Sequence, residues 1–168
     1  SSQLEIKIVV IPLVDNGRLE NSHQEDILIE FLEKYFFNIK NMGLKILFES
    51  DYAPSKLKIF IDKLPKSHFG INYDIGNSAA LGYDPTEEFN LIGSRVKNIH
   101  IKDRKFKGET IALGKGCANF NLVFKNLREI NFQGNFILQT ARAKDNNHKE
   151  VLLEYKKFTM DLLSSYFV

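Results

Sequence analysis

"FGINYDIGN", residues 69–77, is the stretch on which the fold turns. It is a short apolar run rich in β-branched and aromatic residues, and it stops at an acid with a glycine two residues on. That is the pattern of a buried strand closing at Asp74. Side chains alternate along a strand, so Asp74 lies on the opposite side from Tyr73. Working outward, the same shape recurs. Upstream, "LKILFESD" (44–51) is a strand on which Glu49 opposes Phe48. Downstream, on "NIHIKD" (98–103), His100 and Lys102 share one side and Ile101 takes the other. "IKIVVIPLVD" (6–15) and "NFILQT" (135–140) complete the set, and Gln139 opposes Leu138 on the last.

Helix-like segments separate these strands. "SHQEDILIEFLEKYFFNIKNMG" (22–43) has capping-box spacing at Ser22 and Glu25, and Gly43 suits its stop. Its periodicity predicts one apolar face made of Ile27, Leu28, Phe31, Leu32, Tyr35 and Phe36. "APSKLKIFIDKL" (53–64) opens with Pro54 in its first turn. "TEEFNLIGSRVK" (86–97) and "NFNLVFKNLREI" (119–130) are the next helices. "HKEVLLEYKKFTMDLLSSYF" (148–167) closes the chain, with Val151, Leu152, Tyr155, Phe158 and Leu162 on its apolar side. The residues after Asn77 and the stretch "RKFKGETIALGKGCA" (104–118) are expected as loops. Such alternation predicts an α/β fold of βα units around a parallel sheet. No low-complexity tract or linker interrupts it, so residues 1–168 read as one domain.

The bulk numbers fit. The chain has 168 residues, 43% of them hydrophobic and 26% charged, enough for one sizeable core. The formal net charge of +2 is spread without a basic block, which gives no case for nucleic acid or a membrane surface as partner. The single cysteine, Cys117, cannot form an internal disulfide, and a reducing cytoplasm is the expected compartment. No apolar stretch approaches the roughly 18 residues that span a bilayer. The opening "SSQLEIKIVVIPLVD" lacks a basic leader and runs straight into strand-like residues, so no signal peptide is expected.

In a parallel α/β sheet or barrel, ligands bind beyond the carboxyl ends of the strands. If the bulky apolar side chains face the helices, Glu49, Asp74, His100 and Gln139 all face inward at that end. Two carboxylates, an imidazole and an amide would converge there. Oxygen and nitrogen donors of this kind suit a divalent metal ion such as Mn²⁺, Mg²⁺, Co²⁺ or Zn²⁺. Lys102, Arg104 and Arg142 follow closely enough to hold a substrate oxyanion or phosphate. For Arg104 the plainer reading is a solvated loop with Asp103 as its ion-pair partner. Asn77 is placed either to bond substrate hydroxyls or to shape the turn after Asp74.

"FESD", "NYDIGNSAALG", "HIKDR" and "LGKG" followed by "NF" together resemble the xylose isomerase-like TIM barrels, a superfamily of sugar and sugar-phosphate isomerases and epimerases, inosose-type dehydratases and the endonuclease IV enzymes. The likeness runs from the first strand to the last helix and corresponds to strands four to eight of the barrel. It implies a partial barrel with five of eight strands. It implies metal ligation by Glu49, Asp74, His100 and Gln139, with Mn²⁺ first among the ions. A full barrel needs roughly 250 residues. The missing half is therefore expected from a longer chain or from another chain, a second copy of the same chain included.

The resemblance further implies a small sugar or sugar phosphate as substrate and proton transfer next to its carbonyl, with Glu49 as base. Here the sequence departs from the family pattern. An amide stands at Gln139 where the family has a second acid, and Lys115 replaces an acid in the "GKG" turn. An amide can hold a metal but cannot move a proton. Two-base epimerisation is disfavoured, and one-base isomerisation or dehydration gains. One alternative is a barrel disabled at Gln139 that binds a sugar or a partner protein. Another is an endonuclease IV-like nuclease, against which stand the few histidines and the near-neutral charge.

Overall fold

The structure, a computed structural model, describes residues 5–143 and 145–167. The first four residues of the stretch read for a leader lie outside the described residues. Five strands form one parallel sheet: β1 Ile8–Leu13, β2 Lys45–Ser50, β3 Phe69–Asp74, β4 Val96–Ile101 and, last in the chain, β7 Asn135–Leu138. The sheet order is β1-β2-β3-β4-β7, so each successive strand adds beside the one before it. Helices return the chain between them: α1 Ser22–Lys34 and α2 Phe36–Asn41, α3 Pro54–Asp62, α4 Ile75–Leu81 and α5 Pro85–Ile92, and α6 Phe120–Glu129. Helix α7, His148–Tyr166, follows β7. The α/β expectation and its parallel βα units are met.

The core lies between the sheet and these helices. Phe48, Ile71, Tyr73, Ile99 and Ile101 leave the sheet on its helix side, and Phe60, Ile61, Phe89, Ile92, Phe124 and Leu127 meet them. Phe48 stacks on Phe69 and meets Phe60 edge-on at 5.2 Å. The opposite faces of the same strands carry the polar residues, as alternation requires.

Four expectations need correction. The first helix breaks at Tyr35, and its cap is Asn21, whose side chain accepts the Gln24 N–H, not Ser22. Its apolar face is only partly used: Leu32 is buried, while Ile27 and Phe31 are more than half exposed. On α7, Leu152 is likewise exposed while Tyr155 is buried. These side chains belong to the two ends of the sheet order, where β1 and β7 each have a single neighbour. No further unit covers them among the described residues. Secondly, helix α4 takes in Ile75–Asn77, the end of the strand-like stretch 69–77, and the first residues after Asn77 that are expected as loop. Thirdly, the helix expected over 86–97 ends at Ile92, and Val96 and Lys97 belong to β4. Lastly, the long loop contains a small antiparallel pair, β5 Asp103–Arg104 with β6 Thr110–Ile111. Among the described residues, no helix is long and apolar enough to cross a membrane.

One buried carboxylate makes a stability prediction. Glu88 on α5 is 5% exposed and has no cationic partner among the described residues; the hydroxyls of Tyr73 and Ser78 donate to it at 2.6 and 2.5 Å. Burial pushes its pKa from the ordinary 4.5 up to about 7, against the pull of those two hydroxyls. The folded state thus holds this proton more tightly than the unfolded chain. The cost is absent below about pH 4.5, grows as the pH rises toward 7 and is constant above that, at most on the order of 3 kcal/mol. Glu88→Gln removes it. Melting curves are expected to show the wild type losing about 5 °C or more, relative to the variant, between pH 5 and pH 8.5.

Candidate functional site

Glu49, Asp74 and His100 come from three neighbouring strands, and register brings them together. β2 and β3 pair Phe48 with Ile71, which sets Glu49 beside Asn72. β3 and β4 begin in register at Ile71 with Val96, then shift so that Asn72 faces Asn98 and Asp74 faces His100. That one-residue bulge is decisive. Unshifted pairing would put Ile99 opposite Asp74 and turn the imidazole to the helix side. With the shift, one donor atom from each of Glu49, Asp74 and His100 lies within 4.8 Å of the others. All three groups are largely shielded: Glu49 and Asp74 are buried and the His100 side chain is 13% exposed.

The contacts within the triad are direct. His100 Nδ1 lies 3.0 Å from Glu49 Oε2 and 3.7 Å from Asp74 Oδ2. Burial works against a charged ring here, but hydrogen bonds and charge from Asp74 and Glu49 outweigh it and push His100 up to about 9. A metal ion entering this site must therefore displace a proton from the ring. Asp74 divides its oxygens. Oδ1 caps α4 by accepting the Asn77 N–H at 2.8 Å, and Oδ2 faces the Lys102 Nζ at 3.3 Å. Gly76 makes this crowding possible, since a Cβ there would come within 2.8 Å of the Lys102 side chain and 3.0 Å of its backbone.

The remaining residues singled out in the sequence fall into different places. The Gln139 N–H donates to the Ile101 carbonyl at 3.1 Å, extending the β4–β7 ladder by one residue. The Gln139 side chain is exposed, and its Oε1 accepts from Lys102 Nζ at 3.1 Å. Lys102 thus joins Gln139 to the triad. Asn77 is buried and donates its side-chain N–H to Glu49 Oε1 at 2.7 Å. Arg104 donates to Asn77 Oδ1 at 2.9 Å and to the Gly108 carbonyl. It does not pair with Asp103, which is fully buried and accepts the backbone N–H groups of Gly116 and Ala118. Arg142 is exposed and lines a rim pocket with His148 and Val151, to which no triad residue contributes.

Two site residues escaped the sequence reading. Asn72 donates to Glu49 Oε2 at 2.9 Å, and Asn98 donates to Asn72 Oδ1 at 2.6 Å. Each stands two residues before a triad member on the same strand. The period of two that placed Asp74 and His100 inward places Asn72 and Asn98 inward as well.

The donor set suits a small divalent cation: two carboxylates and an imidazole with their ligand atoms already gathered. Gln139 could add its side-chain oxygen, an atom that already accepts from Lys102.

Comparison with known proteins agrees with this fold. A family model described as "Xylose isomerase-like TIM barrel" matches residues 1–158. SgbU of Escherichia coli (strain K12), a candidate L-ribulose-5-phosphate 3-epimerase by name, is 32% identical over 100 residues, covering 54% of this chain and 35% of its own length. An inosose dehydratase of Clostridium beijerinckii is 23% identical over 154 residues, 78% of this chain and 52% of that protein. This chain thus spans about half, or less, of the length of the curated relatives it matches. Among solved structures, the IOLI protein with a binding zinc atom superposes with a TM-score of 0.81 at 18% identity, over 98% of this chain and 66% of that one.

Proposed function

Because the chain belongs to the xylose isomerase-like TIM barrel family, we propose that it forms the metal-binding part of an enzyme that moves a proton next to the carbonyl of a small sugar or sugar phosphate. The observation that carries this reading is the convergence of Glu49, Asp74 and His100 on one point. In the proposal these three hold a divalent ion, Mn²⁺ before Mg²⁺, Co²⁺ or Zn²⁺, with Gln139 as the fourth donor. The ion would polarise the substrate carbonyl and so lower the cost of the enediolate. Glu49 removes the proton from the neighbouring carbon, the C–H electron pair moves toward the carbonyl, and the same carboxylate returns a proton to carbon or oxygen. Lys102, beside Asp74, takes the developing oxyanion, and Arg142 at the rim meets a phosphate if the substrate carries one. Asn77 and Arg104 support Glu49 from behind. Further strands, from a longer chain or a second chain, complete the barrel beside β1 and β7.

The relatives named as an epimerase and a dehydratase support this class of chemistry. Glu49 as base and an amide at position 139 point to isomerisation or exchange without inversion. One observation favours a second reading, a barrel that binds sugar without turning it over: the Lys102 ammonium already neutralises Asp74 and holds Gln139.

Solvent deuterium exchange into a panel of ketoses and ketose phosphates, with Mn²⁺ added to the full-length protein, separates the two. The proposal expects deuterium at the carbon next to the carbonyl of at least one sugar, with configuration retained. Metal-loaded protein that exchanges no member of the panel contradicts it.

A further inference from the structure

We infer that Glu49 is held by two converging hydrogen-bond arms, Arg104 to Asn77 and Asn98 to Asn72, and that Asn77 and Arg104 serve the reaction by positioning this carboxylate and not by touching substrate. The inference rests on the reading of Glu49 as base. Each arm ends on a different oxygen: Asn77 on Oε1 at 2.7 Å and Asn72 on Oε2 at 2.9 Å. Each asparagine is itself fixed from behind, by Arg104 at 2.9 Å and by Asn98 at 2.6 Å.

The direction of the Asn77 arm is forced by chemistry. A carboxylate only accepts and a guanidinium only donates, so Asn77 must turn its NH₂ to Glu49 and its oxygen to Arg104. Both amide ends are then occupied, and Asn77 is 7% exposed. Arg104 is anchored a second time on Gly108, within its own hairpin. Its position is thus set by the β5–β6 turn, and the turn sets the carboxylate through Asn77. Two donors, one on each oxygen, fix the plane of the carboxylate. The second lone pair of Oε1 stays available, while that of Oε2 faces His100 Nδ1 at 3.0 Å and opens to a cation that displaces the ring proton. Outer partners of this kind are worth about 10–100-fold in metal affinity or activity in metal sites generally.

A double-mutant cycle on full-length protein tests this, read by deuterium exchange kinetics and by Mn²⁺ affinity from electron paramagnetic resonance. Asn77→Ala is expected to lower kcat for exchange about 10–100-fold. Arg104→Gln is expected to lower kcat by a smaller factor, with KM within about threefold of wild type because no substrate contact is lost. The Asn77→Ala/Arg104→Gln double variant is expected to match Asn77→Ala alone, since Arg104 has no second route to Glu49. Mn²⁺ affinity should fall in the same non-additive pattern.

A rise in KM with unchanged kcat in Arg104→Gln, or additive losses in the double variant, overturns the inference while leaving the proposed function standing. If Asn77→Ala does not fold, Arg104→Gln still decides through its kcat and KM. Wild-type protein that neither binds Mn²⁺ nor exchanges any sugar removes both the function and the inference.

Discussion

Glu49→Gln is expected to reduce solvent deuterium exchange by about 10³-fold or more. A positioned general base contributes roughly 10²–10⁴-fold, and this substitution removes the base while keeping its volume. It does more than remove a proton acceptor. Both oxygens of Glu49 receive an asparagine N–H. A glutamine amide offers one oxygen and one NH₂, so one asparagine would meet a donor in place of an acceptor. The gathered donor set also loses a negative charge, and cation affinity should fall with it. Exchange rates and bound metal measured on the same sample would show both losses together. A melting temperature close to wild type would place the loss in the site and not in the fold. Exchange that persists in Glu49→Gln would mean that another group carries the proton.

The second large effect runs in the opposite direction. Gln139→Glu is expected to convert exchange with retention into exchange with inversion, so that an epimeric sugar accumulates from a single starting ketose. Gln139 follows the last strand of the sheet, across β4 from Asp74 and Glu49. A carboxylate there supplies the proton carrier that an amide cannot be. Lys102, now 3.1 Å from the Gln139 oxygen, would offset the added negative charge beside Asp74. The extra charge should also tighten Mn²⁺ binding by about tenfold, the scale of one added charge-assisted contact. Product stereochemistry by NMR reads the first effect and Mn²⁺ titration the second. Retention of configuration in Gln139→Glu would mean that residue 139 does not reach the far face of the substrate.

The sequence carried the fold far because each strand ends abruptly in a polar residue. "NYDIGN" and "HIKD" were readable as strand ends from alternation alone, and the structure gathers Asp74 and His100 as that alternation demands. What it hid were effects of register and of neighbours. The bulge at Ile71/Asn72 leaves no composition signal, yet it decides that His100 and not Ile99 faces Asp74. Helix α4 leaves little trace in the sequence because it is short and contains Gly76; its start is fixed by the Asp74 side chain, a residue already assigned to the site. Ile27, Phe31 and Leu152 have helical periodicity but stay exposed, because periodicity gives a face without saying what covers it. Asp103 looked like a solvated partner for Arg104, whereas the backbone of residues 116–118 folds over it.

Everything in the functional account depends on three side chains sharing one cation. The most direct measurement is elemental analysis of the purified full-length protein after Mn²⁺ loading and exhaustive dialysis, beside the Asp74→Asn and His100→Ala variants. One ion per chain in the wild type, lost from both variants, is the result expected. A wild type that retains no metal at any loading, or variants that keep it at full stoichiometry, would contradict the account.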